Sequence, residues 1–169
     1  METNRSGEGI LSQDMAGKRE EIIEQLKQAY FAELETVINY VTNSTNPDGV
    51  RAQEIKESLE EDIQEELGHA QQFAQRIKEL YGVVPGSMEF RAQQPFLQPP
   101  EHQTDVVHVI RGVIDAETSA IELYTRIVEE TDEVDPVTND VVIAILHDEQ
   151  GHRRLFEGFL REYEAEGLA

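Results

Sequence analysis

Two stretches of this chain, Glu65-Glu66-Leu67-Gly68-His69-Ala70 and Asp148-Glu149-Gln150-Gly151-His152-Arg153, both read acid, Glu, any residue, Gly, His. Residues three apart share a face of a helix, so the Glu and the His of each copy can hold one object between them. A metal ion suits that pair, because carboxylate and imidazole both ligate divalent cations. So short a motif is weak alone. Its demand on the fold is strong: two helices must bring these faces to a common interior.

The surrounding pattern supplies four helices. From about Lys18 to Asn43, Leu26, Tyr30, Val37 and Tyr40 form an apolar stripe that Ile22, Ile23, Leu34, Ile38 and Val41 widen, with Glu33 inside it. The run Asn43 to Gly49 is turn-forming and ends this helix. A second helix over about Val50 to Tyr81 buries Leu59, Ile63, Ala70, Phe73, Ile77 and Leu80, and Glu66 lies between Ile63 and Ala70. Gly82 reads as its C-terminal cap, and Pro85 bars continuation. A third helix, about Thr104 to Thr131, buries Val106, Ile110, Val113, Ala120, Tyr124 and Ile127 around Glu117. Asp135-Pro136 gives an N-cap followed by proline at the first helical position. The fourth helix then runs to about Tyr163 with Val142, Ile145, His152, Phe156 and Phe159 inward and Glu149 among them.

Between Gly82 and about Gln103 the chain is proline-rich and aperiodic. Connections of that length are uncommon unless they span the molecule, and an antiparallel four-helix bundle with one crossover between helices two and three needs such a connection. The two halves also match outside the motif. Glu33 to Tyr40 and Glu117 to Tyr124 each carry Glu, an aliphatic residue at the fifth place and Tyr at the end. Glu33 and Glu66 are 33 residues apart, and Glu117 and Glu149 are 32 apart, so in two antiparallel hairpins each Glu meets its partner mid-helix. Glu33, Glu66, His69, Glu117, Glu149 and His152 then converge. Four carboxylates buried at one level are prohibitively costly without compensation, and bound cations compensate them.

Several neighbours carry open readings. Glu35 rivals Glu33 as the first-helix ligand but lies roughly on the opposite face, which favours Glu33. Tyr40 and Tyr124 are either core aromatics or hydrogen-bonding or redox partners of the site. Glu65 and Asp148 either orient a His across the bundle through its other ring nitrogen or are solvated surface acids. Gly68 and Gly151 each cost about 1 kcal/mol inside a helix, which points to a closely approaching helix beside each His. His102, His108 and His147 match no spacing and read as surface or rim residues.

A chain of 169 residues fits one domain. Met1 to Gly17 is expected to be a mobile tail, and residues 18–169 the bundle. Lys+Arg 14 against Asp+Glu 35 gives a net charge of -21, which repels nucleic acid and anionic membrane surfaces, attracts cations, and also suits a salt-rich cytoplasm. The absence of cysteine excludes a disulfide framework, a zinc ribbon, an iron–sulfur site and a rubredoxin module. Without an apolar leader or a run long enough to span a membrane, a cytoplasmic protein is expected.

Over about residues 20 to 160, these features resemble the ferritin-like di-iron carboxylate proteins, in which two helices give one Glu each and the other two give Glu-x-x-His. The resemblance implies an all-α, ferritin-like antiparallel four-helix bundle holding two iron ions per chain, with manganese as the alternative. It implies Glu33, Glu66 and His69 on one ion and Glu117, Glu149 and His152 on the other. Glu66 and Glu149 would bridge, and four carboxylates would balance two divalent charges. The implied activity is a ferroxidase, oxidising Fe(II) with O2 or H2O2 for storage or detoxification. A di-iron or di-manganese peroxidase without storage and a non-catalytic metal-binding bundle are the alternatives.

Within the superfamily, the run Glu33 to Tyr40 and the stretch Glu66 to Pro85, including Arg76, Ile77 and Leu80, look like bacterioferritins and Dps-like ferritins. Rubrerythrins carry an extra Glu where Ala120 stands here. Leu67 occupies the place of the haem-ligating Met of bacterioferritins, so no haem is expected. The 17 residues after His152 are too few for the short fifth helix of large cages. The resemblance therefore implies a homo-oligomer, either a smaller cage or a dimer, or cargo of an encapsulating shell. Iron and the oxidant would be its small partners, with no nucleic acid and no membrane.

Overall fold

The computed structural model describes residues 9–169. Four long helices carry the fold: α1 (Ala16–Thr45), α2 (Ala52–Glu79), α3 (Val106–Thr131) and α4 (Pro136–Ala165), and no strand occurs among the described residues. Helices α1 and α2 pack as one hairpin and α3 and α4 as the other. The connection from α2 to α3 contains two short 3-10 turns, Ser87–Glu89 and Pro95–Leu97. None of the described helices is long and apolar enough to cross a membrane.

Local chemistry sets the helix ends. Asp135 accepts from the backbone N–H of Thr138 at 3.1 Å with Pro136 at the first position of α4, and Asp105 accepts from His108 N at 3.0 Å to open α3. The end of α2 differs from expectation by one residue. The left-handed position is Tyr81 (φ 68°), while Gly82 N donates to Ile77 O at 2.9 Å and Tyr81 N to Lys78 O at 3.1 Å. Gly82 is required for space: a Cβ there would sit 2.9 Å from Ile77 Cγ2 and 3.1 Å from Ile23 Cγ2.

The apolar core is in two parts. One end of the bundle packs Ile22, Leu26, Phe73, Ile77, Ile127 and Ile145, and the other packs Tyr40, Leu59, Leu97, Ile110, Val113 and Phe156. Along each helix the inward Glu falls between these two clusters, so the carboxylates lie where apolar packing is interrupted. Arg76, 6% exposed, joins the hairpins at one end by donating to Thr138 Oγ1 at 2.8 Å and to the fully buried Asp135 carboxylate at 2.9 Å. Such a pair is retained only because both partners are satisfied.

Three expectations change. The tail expected over Met1 to Gly17 is too long: Gly9–Leu11 and Gln13–Met15 form 3-10 turns, Ile10 is buried in the core, and Arg19 donates to Ile10 O and Ser12 O at 2.9 Å each. The first eight positions of that stretch lie outside the described residues. Ile38 and Val41, expected to widen the buried stripe of α1, are 55% and 48% exposed. The true inward line steps through Leu26, Ala29, Glu33, Thr36 and Tyr40 at helical spacing, which turns Ile38 and Val41 outward. Gly68 and Gly151 are not there for close approach, since a Cβ at either would meet nothing within 4 Å. Nothing in the structure explains this glycine pair.

Candidate metal centre

The mid-bundle level holds all six residues that the sequence singles out. Each helix contributes one Glu, and Glu33, Glu66, Glu117 and Glu149 are 2% exposed or less. His69 and His152 project one turn beyond Glu66 and Glu149 on the same helix faces, at 2% and 8% exposure. His69 Nδ1 lies 3.1 Å from Glu149 Oε1, 3.5 Å from Glu66 Oε2 and 4.0 Å from Glu33 Oε1. His152 Nδ1 lies 3.2 Å from Glu66 Oε1, 3.6 Å from Glu149 Oε2 and 3.9 Å from Glu117 Oε1. Glu66 and Glu149 thus belong to both groups, and within each group of four the candidate ligand atoms lie within 4.8 Å of one another.

The donor set fits a pair of cations. Glu66 Oε1, His69 Nδ1, Glu117 Oε2, Glu149 Oε1 and His152 Nδ1 are all buried without a partner in hydrogen-bonding geometry. Buried polar atoms are ordinarily satisfied, and five orphans facing one small space mark donors left free for ions. Oxygen and imidazole donors in this mixture suit iron or manganese.

The surroundings fix the donors' orientation. His69 Nε2 lies 3.2 Å from Asp148 Oδ2, and His152 Nε2 lies 3.1 Å from Glu65 Oε2. Of the two readings of Glu65 and Asp148, the geometry fits the orienting one, each acid serving the His of the opposite hairpin. The tyrosines make a second crossed pair, Tyr40 donating to Glu117 and Tyr124 to Glu33. Burial, and then the charge of these glutamates, pushes both phenols well above their ordinary range, so they remain donors. Glu35 lies elsewhere, buried beneath the crossover, where it accepts from Gln93 N and Gln94 N at 2.8 Å. His108 accompanies the crossover too, its Nε2 3.0 Å from Gln98 O.

Without metal, the charges arrange themselves by proton sharing. Burial, reinforced by the neighbouring carboxylates, holds Glu33 and Glu117 well above the usual carboxylate range. Burial also pushes Glu66 and Glu149 upward, but protonated Glu33 and Glu117 and the two imidazoles outweigh it and both end below their ordinary value. Burial disfavours imidazolium, yet Glu149 and Glu66 against each Nδ1 prevail and raise His69 to about 10 and His152 to about 12. Glu33, Glu117 and the two imidazoles thus hold protons more tightly than free groups do, which offsets part of the carboxylate charge.

Asp62 is a site neighbour that the sequence pattern does not single out. It is 7% exposed, its Oδ1 lies 3.7 Å from His152 Nε2, and burial raises its pKa to about 6. It stands one turn before Glu66 on the same face, a spacing that could have revealed it. The internal repeat conceals it, because Ile145 stands at the matching place of the second half.

Three comparisons bear on this arrangement. A family model described as a ferritin-like domain matches residues 23–165. The "DNA protection during starvation protein" of Pyrococcus furiosus is 31% identical over 144 residues, covering 83% of this chain and 77% of that protein. The bacterioferritin of Desulfovibrio desulfuricans is 28% identical over 148 residues, covering 85% of this chain and 78% of that protein. Among solved structures, a dodecameric thioferritin from Bacteroides fragilis, a bacterioferritin-related protein, superposes with a TM-score of 0.80 at 25% identity, over 88% of this chain and 89% of that one. Fold, matched domain and relatives agree, and the chain belongs to the ferritin-like family.

Proposed function

We propose that this chain is a ferroxidase that binds two Fe(II) ions per chain as substrate and oxidises both, for iron storage or detoxification. The observation that supports it most is the sharing of Glu66 and Glu149 between two overlapping ligand groups. Shared carboxylates hold two ions close enough to give up their electrons together. Two Fe(II) become two Fe(III), and the electrons reduce O2, with two protons, to H2O2, or H2O2, with two protons, to water. Glu33 and His69 would hold one ion and Glu117 and His152 the other. Asp148 and Glu65 would steady the imidazoles, while Tyr124 and Tyr40 would orient the terminal carboxylates. The protein's part is geometry and charge, the metal's part the redox chemistry.

Exposed Ile38 and Val41, with half-buried Leu34 and Val37 beside them, support a surface that a second copy covers. The dodecamer of the B. fragilis relative supports a small cage. The P. furiosus relative is named for DNA protection. At a net charge of -21, removal of iron and oxidant is the form of protection this chain suits, without DNA contact. Leu67 continues to argue against haem.

Anaerobic titration with Fe(II), followed by O2 in one arm and H2O2 in the other, tests the reading. Saturation near two ions per chain, ferric colour and consumption of oxidant are expected. Metal binding without oxidation would leave a non-catalytic bundle, and no saturable binding would remove the metal centre itself.

A further inference from the structure

One side of the centre is not filled by protein. A cavity of about 530 Å³ opens between α1 and α3, with Glu33, Glu66, Glu117 and Glu149 at its floor. That volume lies within the roughly 300–1,000 Å³ of small-molecule sites, and it exceeds what passage of a bare ion or of O2 requires. Its lining is mixed, and the apolar share comes from a few side chains. Ala32 of α1 and Ala116 and Ala120 of α3 are too small to fill the space between the helices, and Phe31, Phe96 and Leu123 line it with them.

The cavity is built rather than a fraying seam, because the crossover that borders it is anchored. Glu35 holds Gln93 N and Gln94 N, and Gln94 Nε2 donates to Thr36 Oγ1 at 2.8 Å while its Oε1 accepts from Asn39 at 3.0 Å. Further along, Gly112 lies so close to the strap that a Cβ would be 2.5 Å from Phe96 O. Phe96 is thereby fixed at the wall.

The rim carries cations, scarce in this chain, beside the acids Glu24 and Glu89. Lys27, Arg91 and Arg126 all line the cavity. Lys27 is engaged by Glu24 at 2.7 Å, but Arg91 donates only to backbone carbonyls, and Arg126 has no carboxylate within ion-pairing distance among the described residues. Glu89 is the one other acid at the rim, since Glu35 is spent on the strap. Two guanidiniums at the mouth attract an acid group, and a floor of four carboxylates repels one. An anionic head therefore belongs outside and an apolar body inside.

We propose that the cleft between α1 and α3 is a binding site for a small organic anion, its acid head at Arg91 and Arg126 and its apolar body against Phe31, Phe96 and Leu123, reaching the floor of the candidate metal centre. The site needs no bound metal, so it stands or falls apart from the ferroxidase reading. It would place an organic molecule beside the candidate centre.

Calorimetry on the metal-free full chain with 4-phenylbutyrate tests this, using 4-phenylbutanol and inorganic phosphate as the separate body and head. Saturable binding of one 4-phenylbutyrate per chain is expected, with magnetisation transfer from its ring to Phe31 and Leu123 in nuclear magnetic resonance. The Arg91→Gln, Arg126→Gln double variant should weaken it about tenfold, as loss of charge-assisted hydrogen bonds does, and Ala120→Phe should abolish it by filling the cleft. Absence of saturable binding, equal affinity for the alcohol, or phosphate binding as tightly as the full ligand overturns the proposal. Should Ala120→Phe fail to fold, the ring contacts decide alone: transfer to residues outside the cleft overturns it.

Discussion

His69 and Glu149 come from different hairpins, yet His69 Nδ1 lies 3.1 Å from Glu149 Oε1, nearer than the 3.5 Å to Glu66 of its own helix. The mirror contact, His152 Nδ1 to Glu66 Oε1 at 3.2 Å, repeats the relationship. Each hairpin therefore completes the other's site, and neither half makes a centre alone. Loss of one shared Glu should disturb both ions, which sets the first expectation.

Glu66→Ala or Glu149→Ala should reduce saturation from two ions per chain to one or none in equilibrium dialysis with Fe(II) or Mn(II). Glu35→Ala should keep both ions. Its cost belongs to stability, about 1–3 kcal/mol, because Gln93 N and Gln94 N lose a buried acceptor. A Glu35 variant that loses metal while melting like the parent would mean the ligand assignment on α1 is wrong.

Metal loading should release protons in a definite number. The metal-free site holds protons on Glu33, Glu117, His69 and His152, whose affinities are all raised. Divalent ions should displace them, so more than two protons per chain should leave near pH 6, carboxyl protons in addition to those of the two imidazoles. Calorimetric titration in two buffers of different ionisation enthalpy gives the number. Release of two or fewer would mean that Glu33 and Glu117 hold no protons in the metal-free site.

The acids behind the imidazoles should not be equivalent. His152 has Glu65 at 3.1 Å and Asp62 at 3.7 Å, whereas Asp148 lies nearest the outer nitrogen of His69 at 3.2 Å. Removing such a partner typically weakens metal binding by roughly 10–100-fold. Asp148→Asn should therefore lower affinity at one of the two ions more than Glu65→Gln does at the other. Equal effects in paired titrations would show that Asp62 does not back up Glu65.

Much of this is legible in the sequence, and the remainder is hidden for identifiable reasons. Period and spacing place four helices and set Glu33, Glu66, His69, Glu117, Glu149 and His152 on inward faces, because four carboxylates desolvated at one level within apolar stripes demand compensating cations. The paired acids Glu65 and Asp148 are legible through the repeat. Asp62 is not, because comparing the halves rewards symmetry and Asp62 breaks it. Glu35 reads in the sequence only as a rival ligand, since its role depends on a loop whose path has no period. Ile38 and Val41 mislead because apolar character alone does not distinguish a core face from a face left for a partner. The α1–α3 cleft is invisible for a similar reason: small residues such as Ala32, Ala116 and Ala120 mark close packing as readily as open space.

The pH dependence of stability follows from the same proton arrangement. The folded-state pKa of His69 is about 10 and that of His152 about 12, against an ordinary value of 6.5. Raised values mean that folding favours the protonated rings, so their contribution is fully present below about pH 6.5 and is lost as pH rises towards 10 and 12. Glu33 and Glu117, also raised, contribute with the same sign, fully below the ordinary carboxylate value of 4.5 and fading as pH climbs through their folded values. Glu66 and Glu149 are lowered, so their contribution is complete above 4.5 and does not vary across this window. The chelator-treated protein should thus melt at a lower temperature at about pH 9 than at about pH 6. A His69→Gln, His152→Gln variant should show a smaller fall, the difference isolating the site from repulsion across the acidic surface, which salt screens. Divalent ions should reverse the trend, because they would replace the protons and bind only the folded form. The gain in melting temperature on adding Mn(II) should be larger at the higher pH. Parallel falls in wild type and the double variant, or a metal-induced gain independent of pH, would rule out imidazolium ions among these carboxylates.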